Sequence, residues 1–139
     1  MSQISPEFQV LCDQARSRVQ EITIQELNRR ISETDEALTI LDVREDYEWD
    51  EGRIFGAVHC GRGLLEFMIN KLLPDTSVNI VVYCRSGNRS LLAADRLKQL
   101  GYTHVVSLQG GITAWAEAGY AVDGEVLDDE RQLAMLKSE

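Results

Sequence analysis

The stretch Asn79–Ser90, NIVVYCRSGNRS, decides how the chain folds. Its first half, NIVVYC, is a run of β-formers without polar alternation, the pattern of a strand covered on both faces. Its second half carries a glycine, an asparagine, two serines and two arginines. From Asn88 the sequence NRSLLAADRLKQLG takes up helical spacing and closes on Gly101, which reads as a C′ glycine. A buried strand thus passes into a helix within a few residues, and Cys84 stands at the junction.

The segments on either side repeat the alternation. SPEF reads as a helix start, with Ser5 as N-cap and Pro6 in the first helical position, followed by Phe8, Leu11, Ala15 and Val19 at helical spacing. TIQE, Thr23 to Glu26, is a capping-box pattern opening a short helix through Leu27 and Ile31. ALTILDV is a buried-strand run ending near Val43. REDYEWDEG is polar with room for a short helix before Gly52, and GAVHC reads as a second short strand. LLEFMINKLL is helical and stops before Pro74. HVVSLQ is a further strand, GGITAWAEAG a short helix between glycines, and EVLDDERQLAMLKSE a last amphipathic helix. Strands alternating with helices at this spacing predict an α/β fold, a central parallel sheet with helices on both faces. Ligands in such sheets bind at the carboxyl ends of strands, which is where Cys84 lies.

Composition limits the functions open to the chain. The 139 residues fit one domain, long enough to bury a core without disulfides. Lys and Arg number 14 against 23 Asp and Glu, a net charge of −9. So acidic a surface repels phosphate backbones and argues against a nucleic-acid partner. No apolar run approaches the ~18 residues of a membrane-spanning helix. MSQISPEFQV has no basic region followed by an apolar one, so no signal peptide is expected and a cytoplasmic protein is. Cys12, Cys60 and Cys84 are an odd, scattered set without CxxC, which points to free thiols in a reducing compartment. It argues against a structural zinc site, which takes four ligands, and no metal or cofactor is expected.

In this setting the loop Arg85, Ser86, Gly87, Asn88, Arg89 has a specific chemistry. Amides of a helix's first turn lack internal partners and carry partial positive charge. A short loop curling into that helix aims several N–H groups at one point. Gly87 permits a positive φ and Asn88 tolerates one. If the sulfur of Cys84 occupies that point, its pKa is expected below the free value of ~8.5. Arg85 and Arg89 add charge and can pair with an anionic substrate. The plainer alternative is a buried cysteine ending a strand beneath solvated arginines.

YCRSGNRS resembles the active-site loop of the single-domain rhodaneses, thiosulfate:acceptor sulfurtransferases. The resemblance extends through ILDVRE, YEWDEGRIFGAVH and LQGGITAWAEAGY, and so covers roughly Glu21 to Val122. It implies a rhodanese domain over 21–122, with an N-terminal helical extension over 1–20 and a C-terminal helical tail over 123–139. It further implies that Cys84 is the nucleophile, that Arg85 to Arg89 cradle the outer sulfur of a persulfide, and that no cofactor takes part. The partners implied are a small anionic sulfur donor such as thiosulfate and a thiol or cyanide acceptor. Phosphatases similar to rhodaneses have five residues between Cys and Arg; here there are four, a length suited to sulfur. Alternatives are a non-catalytic interaction module and, third, a phosphatase or arsenate reductase.

Other residues have two readings. Asp42 and Arg44, at the end of another strand, either form a structural ion pair or orient the Cys84 loop. Glu48 and Trp49 fit a family E-x-W region read as packing. Arg53 stands where the family often has His, and Phe55 where Pro is common. His59 and His104 read as structural. Cys60 is either a buried core residue or a resolving thiol for Cys84, and Cys12 reads as packing. Val126, Leu127, Leu133 and Leu136 are candidates for a homodimer contact.

Overall fold

The computed structural model of the chain describes residues 4–126. In chain order these form α1 (Pro6–Arg16), β1 (Gln20–Ile22), α2 (Ile24–Glu33), β2 (Leu38–Asp42), α3 (Asp46–Glu51), β3 (Gly52–Ile54), β4 (Val58–His59), α4 (Leu65–Leu72), β5 (Asn79–Tyr83), α5 (Asn88–Gln99), β6 (His104–Leu108), α6 (Gly111–Glu117) and β7 (Val122–Gly124). The last amphipathic helix read from the sequence, and Leu127, Leu133 and Leu136 of the expected dimer contact, lie outside the described residues. Val126 packs against the apolar cluster built around Leu27 and Trp115.

Five strands form a parallel sheet in the order β1-β6-β5-β2-β4. The expected α/β architecture is the one observed. β5 lies at its centre, and period-two alternation divides the strand between two cores. Ile80, Val82 and Cys84 face α1, α4 and α5, among Cys12, Ala15, Leu65, Ile69, Leu91 and Leu97. Val81 and Tyr83 face α2 and α6, among Leu27, Ile54, Leu108, Ile112 and Trp115. In both cores each fully buried Leu or Ile contributes roughly 1.5–3 kcal/mol.

The caps follow the sequence. Ser5 accepts from the Phe8 amide with Pro6 behind it, and Thr23 accepts from the Glu26 amide. Only that arm of the TIQE box is present in the bonds formed there, since the Glu26 carboxylate turns to Arg29. The Gly101 and Tyr102 amides close α5 on the carbonyls of Lys98 and Leu97, as a C′ glycine should. The expected apolar stripe of α1 needs correction. Leu11 is 52% exposed, and Cys12 takes the inward position with Ala15, because α1 ends at Arg16 and is rolled so that its small residues meet α5. Beyond that end the Arg18 guanidinium grips both oxygens of Asp95 on α5. Three short strands carry no signal in the sequence: β1, which pairs with β6, and β3 and β7, which pair antiparallel as a separate ribbon.

The glycine pair in LQGGITAW has a geometric cause. The first turn of α6 butts against the start of the Cys84 loop: the Ile112 and Thr113 amides donate to the carbonyls of Cys84 and Arg85. A Cβ on Gly111 would stand 2.5 Å from both carbonyl oxygens, at φ +58°. Gly119 also has a positive φ, +82°, but open space around it. Gly111→Ala is expected to cost about 3 kcal/mol or more, against about 1–2 kcal/mol for Gly119→Ala, which carries the backbone penalty alone. Urea denaturation midpoints of the two variants check the difference.

Candidate active site

Cys84 follows the last residue of the central strand and is 1% exposed. The chain then turns at Gly87, φ +106°, where a residue with a side chain would be strained, and enters α5 at Asn88. That turn brings two amides onto the sulfur. The Gly87 N–H donates to Cys84 Sγ at 3.1 Å and the Ser90 N–H at 3.3 Å. The Ser90 hydroxyl lies 3.5 Å from the same sulfur. Two backbone amides at the start of α5 therefore converge on the cysteine sulfur.

The two arginines have different places. Arg89 is held by Glu48 through two parallel bonds, Nη1 to Oε1 at 2.7 Å and Nη2 to Oε2 at 2.9 Å. Glu48 is 2% exposed and the Arg89 side chain 30%. Burial disfavours the Glu48 carboxylate, but Arg89 outweighs it and holds the Glu48 pKa below the usual range. Burial likewise disfavours the Arg89 cation, and Glu48, with Cys84 nearby, holds it protonated. Sequence reading missed this pair and gave Glu48 a packing role. The signal was a glutamate in a helical turn after a buried strand, on the same side of the sheet as the loop. Arg85 is half-buried, and its carbonyl anchors α6, while Ser86 is exposed.

Asp42 and Arg44 lie 0% and 3% exposed at the end of the neighbouring strand. Arg44 Nη2 reaches Asp42 Oδ2 at 2.8 Å and the Gly52 carbonyl at 2.6 Å. The Tyr83 hydroxyl donates to Asp42 at 2.6 Å and accepts from the Ile54 amide at 3.1 Å. These bonds run to Tyr83, to β3 and to Gly52. They therefore fix the strand under Cys84 and match the structural reading of the pair. Burial and the Asp42 carboxylate push the Tyr83 hydroxyl pKa up, so it stays a donor.

His59 bonds the Arg44 carbonyl at 2.8 Å through Nε2 and stacks on Trp49 at 5.0 Å between ring centroids. Arg53, in place of the His common in the resembled family, lies over the Trp49 ring, 4.9 Å from its centroid. His104 is exposed and bonds Thr103. Cys60 is 6% exposed, in the same apolar cluster as Cys84, and burial raises its pKa. Cys12 is fully buried there too, with Sγ 3.9 Å from the Asn88 carbonyl oxygen, and burial raises its pKa as well. Among the described residues no group of three or more His, Cys, Asp or Glu stands where it could hold a metal ion. No helix among them is long and apolar enough to cross a membrane.

A parallel sheet with a cysteine at the end of its central strand, wrapped by the first turn of the next helix, defines a cysteine-loop α/β domain. The rhodanese-like domain family matches residues 23–118, and the chain belongs to that family. A sulfurtransferase from Allochromatium vinosum is 36% identical over 104 residues, covering 75% of this chain and 94% of that protein. Other relatives are longer: the chain spans 52% of one from Bacillus subtilis at 34% identity. Among solved structures, a rhodanese-related protein from Thermoplasma volcanium is 35% identical with a TM-score of 0.66, covering 76% of this chain and 99% of that one. A Rhodopseudomonas palustris protein of unknown function, described as a possible tyrosine phosphatase, has a TM-score of 0.78 at 27% identity, covering 88% and 98%.

The Glu48–Arg89 pair gives a sign to the acid response of the fold. A carboxylate whose folded pKa is depressed stabilises the protein above its unfolded pKa, near the ordinary 4.5, and loses that contribution as pH falls through the folded value. Stability is expected to decline below about pH 4.5, less steeply in Glu48→Gln than in the wild type. At neutral pH Glu48→Gln is expected to be less stable by about 2–3 kcal/mol, since it leaves a largely buried guanidinium without its counter-charge. Chemical denaturation across pH 3–7 measures both effects.

Proposed function

We propose that the chain is a rhodanese-type sulfurtransferase, moving a sulfane sulfur from a donor such as thiosulfate to a thiophilic acceptor through a persulfide on Cys84. The observation that carries this reading is the pair of amides on Cys84 Sγ, from Gly87 and Ser90, inside a loop with four residues between Cys84 and Arg89. N–H groups fixed on the sulfur favour its anionic form, the nucleophile. The sulfurtransferase named among the relatives supports the same chemistry.

In the first half-reaction the Cys84 thiolate attacks the outer sulfur of thiosulfate. A bond forms between Sγ and that sulfur, the sulfur–sulfur bond of the donor breaks, and sulfite leaves with the electron pair. The persulfide's negative outer sulfur lies within the amide-lined loop of Arg85, Ser86, Gly87, Asn88 and Arg89. In the second half-reaction the acceptor, cyanide or a thiol, attacks the outer sulfur, and the Cys84 thiolate departs. Arg85 contributes positive charge at the loop entrance, whereas Arg89 serves first to fix the loop, because Glu48 occupies its fork. Asp42 and Arg44 support the strand that carries Cys84.

A second reading has one observation behind it. The Rhodopseudomonas palustris fold, described as a possible tyrosine phosphatase, covers most of this chain. A phosphatase needs room for a tetrahedral phosphate, and a loop of four residues is short for that.

Intact-mass measurement after thiosulfate is expected to show a gain of one sulfur on Cys84. Cyanide then removes it, and thiocyanate appears. Cys84→Ser lowers the steady-state rate at least about 1,000-fold, as expected for loss of a nucleophile. Cys84-dependent hydrolysis of p-nitrophenyl phosphate without a sulfur adduct would favour the phosphatase instead. An accessible Cys84 inert in both assays would favour an interaction module.

A further inference from the structure

Ser107 lies on β6, outside the Cys84 loop, and is fully buried. Its residue pairs with Val82 of the central strand, two positions before Cys84. It shares strand parity with Val105, which packs in the apolar cluster beneath α5. A hydroxyl in such a place is costly unless it is bonded. Its partner is the Ser90 hydroxyl, at 2.8 Å, and either oxygen can be the donor. Ser90 is fully buried too, and its hydroxyl lies 3.5 Å from Cys84 Sγ. Three atoms therefore form one line in the interior: Ser107 Oγ, Ser90 Oγ and Cys84 Sγ.

The line has two polarities, and the protonation of the sulfur selects between them. A thiol S–H donates to Ser90 Oγ, and the Ser90 proton then turns to Ser107. A thiolate can only accept. The Ser90 proton must turn to the sulfur, and Ser90 Oγ is left to accept from Ser107. Each hydroxyl has one proton and two lone pairs, so both arrangements use the same heavy-atom positions. Only the second places three donors on the sulfur anion: two amides and one hydroxyl. Ser107 is what keeps that hydroxyl satisfied when it turns, and a chain of two bonds polarises the one nearest the charge.

We propose that Ser107 is a positioning residue for Cys84, acting through Ser90 to hold its hydroxyl as a donor to the thiolate. The proposal rests on the reading of Cys84 as a thiolate nucleophile. Charged and titratable groups around the sulfur are Arg89 with its partner Glu48, Arg85 beside it in the loop, and Cys12 from α1, buried in the same apolar cluster. None is altered by a change at Ser107.

The test is the rate of Cys84 alkylation by iodoacetamide between pH 5 and 10, assigned by peptide mass, in the wild type, Ser90→Ala, Ser107→Ala and the double variant. At pH 7, Ser107→Ala is expected to react about 3- to 10-fold more slowly, the loss of roughly one hydrogen bond to a charged group. Its rate should meet the wild-type rate at high pH, where every form carries the thiolate. In the Ser90→Ala background the same change should have no effect, because the connecting hydroxyl is gone. A Ser107→Ala rate equal to the wild type at all pH values would overturn the proposal. So would an equal loss with and without Ser90, or a deficit persisting at high pH, since each would mark a packing effect. A wild-type Cys84 that resists alkylation at every pH overturns the nucleophile reading itself and this proposal with it. A reactive wild type with an indifferent Ser107→Ala removes only the role of Ser107.

Discussion

The structure depends on holding one sulfur atom inside the protein where backbone amides can reach it. A buried anion is tolerated only when donors are already aimed at it. Gly87 and Ser90 supply them because the chain passes from the central strand into α5 through a left-handed turn. Much of the remaining architecture keeps that turn in place. β5 is central, paired on both edges and covered on both faces, so its end is held from every side of the sheet. α6 braces the loop's first two carbonyls, which it can reach only because Gly111 has no side chain. Two ion pairs, one buried and one half-buried, complete the frame. Asp42 and Arg44 tie the strand to the β3–β7 ribbon through Tyr83 and Gly52, and Glu48 clamps Arg89 at the first turn of α5.

The parts of this arrangement that a reader can take from the sequence are those with local causes. NIVVYC must be buried on both faces, NRSLLAADRL must be a helix, and a glycine must lie between them. The caps at Ser5 and Thr23 are local in the same sense. The three-residue strands β1, β3 and β7 were not legible, because so short a segment has no period to detect. Their pairing is decided by partners far along the chain. The roll of α1 was misjudged for a related reason. Leu11 and Cys12 fit helical spacing equally well, and the choice between them belongs to the surface of α5.

The site was legible to the same depth. Cys84 and its loop announce themselves through residue type and position. The partner of Arg89 is less plain, since Glu48 lies 41 positions away and its place in a turn after a buried strand puts it on the right side of the sheet without naming the residue it meets. Ser107 is less visible still. In HVVSLQ it reads as an ordinary polar residue of a strand, and its meaning appears only when β6 sets it beneath the Ser90 hydroxyl.

These placements change how the site's electrostatics work. Two arginines beside a cysteine suggest that guanidinium charge creates the anion site, which is a natural inference in a chain of net charge −9. Once folded, one of the two is matched by a carboxylate nine-tenths buried or more, and the Glu48–Arg89 unit is nearly neutral as a pair. The sulfur itself is contacted by backbone amides and a serine hydroxyl. Dipoles fixed by the fold act at about 3 Å and need no counter-ion, whereas a mobile cation would be screened by salt and compete for the acidic surface. Arg89 therefore matters to the sulfur chiefly through rigidity. By donating two bonds to Glu48 it pins the turn whose amides reach the sulfur, and the loop's hold on that atom comes from its backbone path.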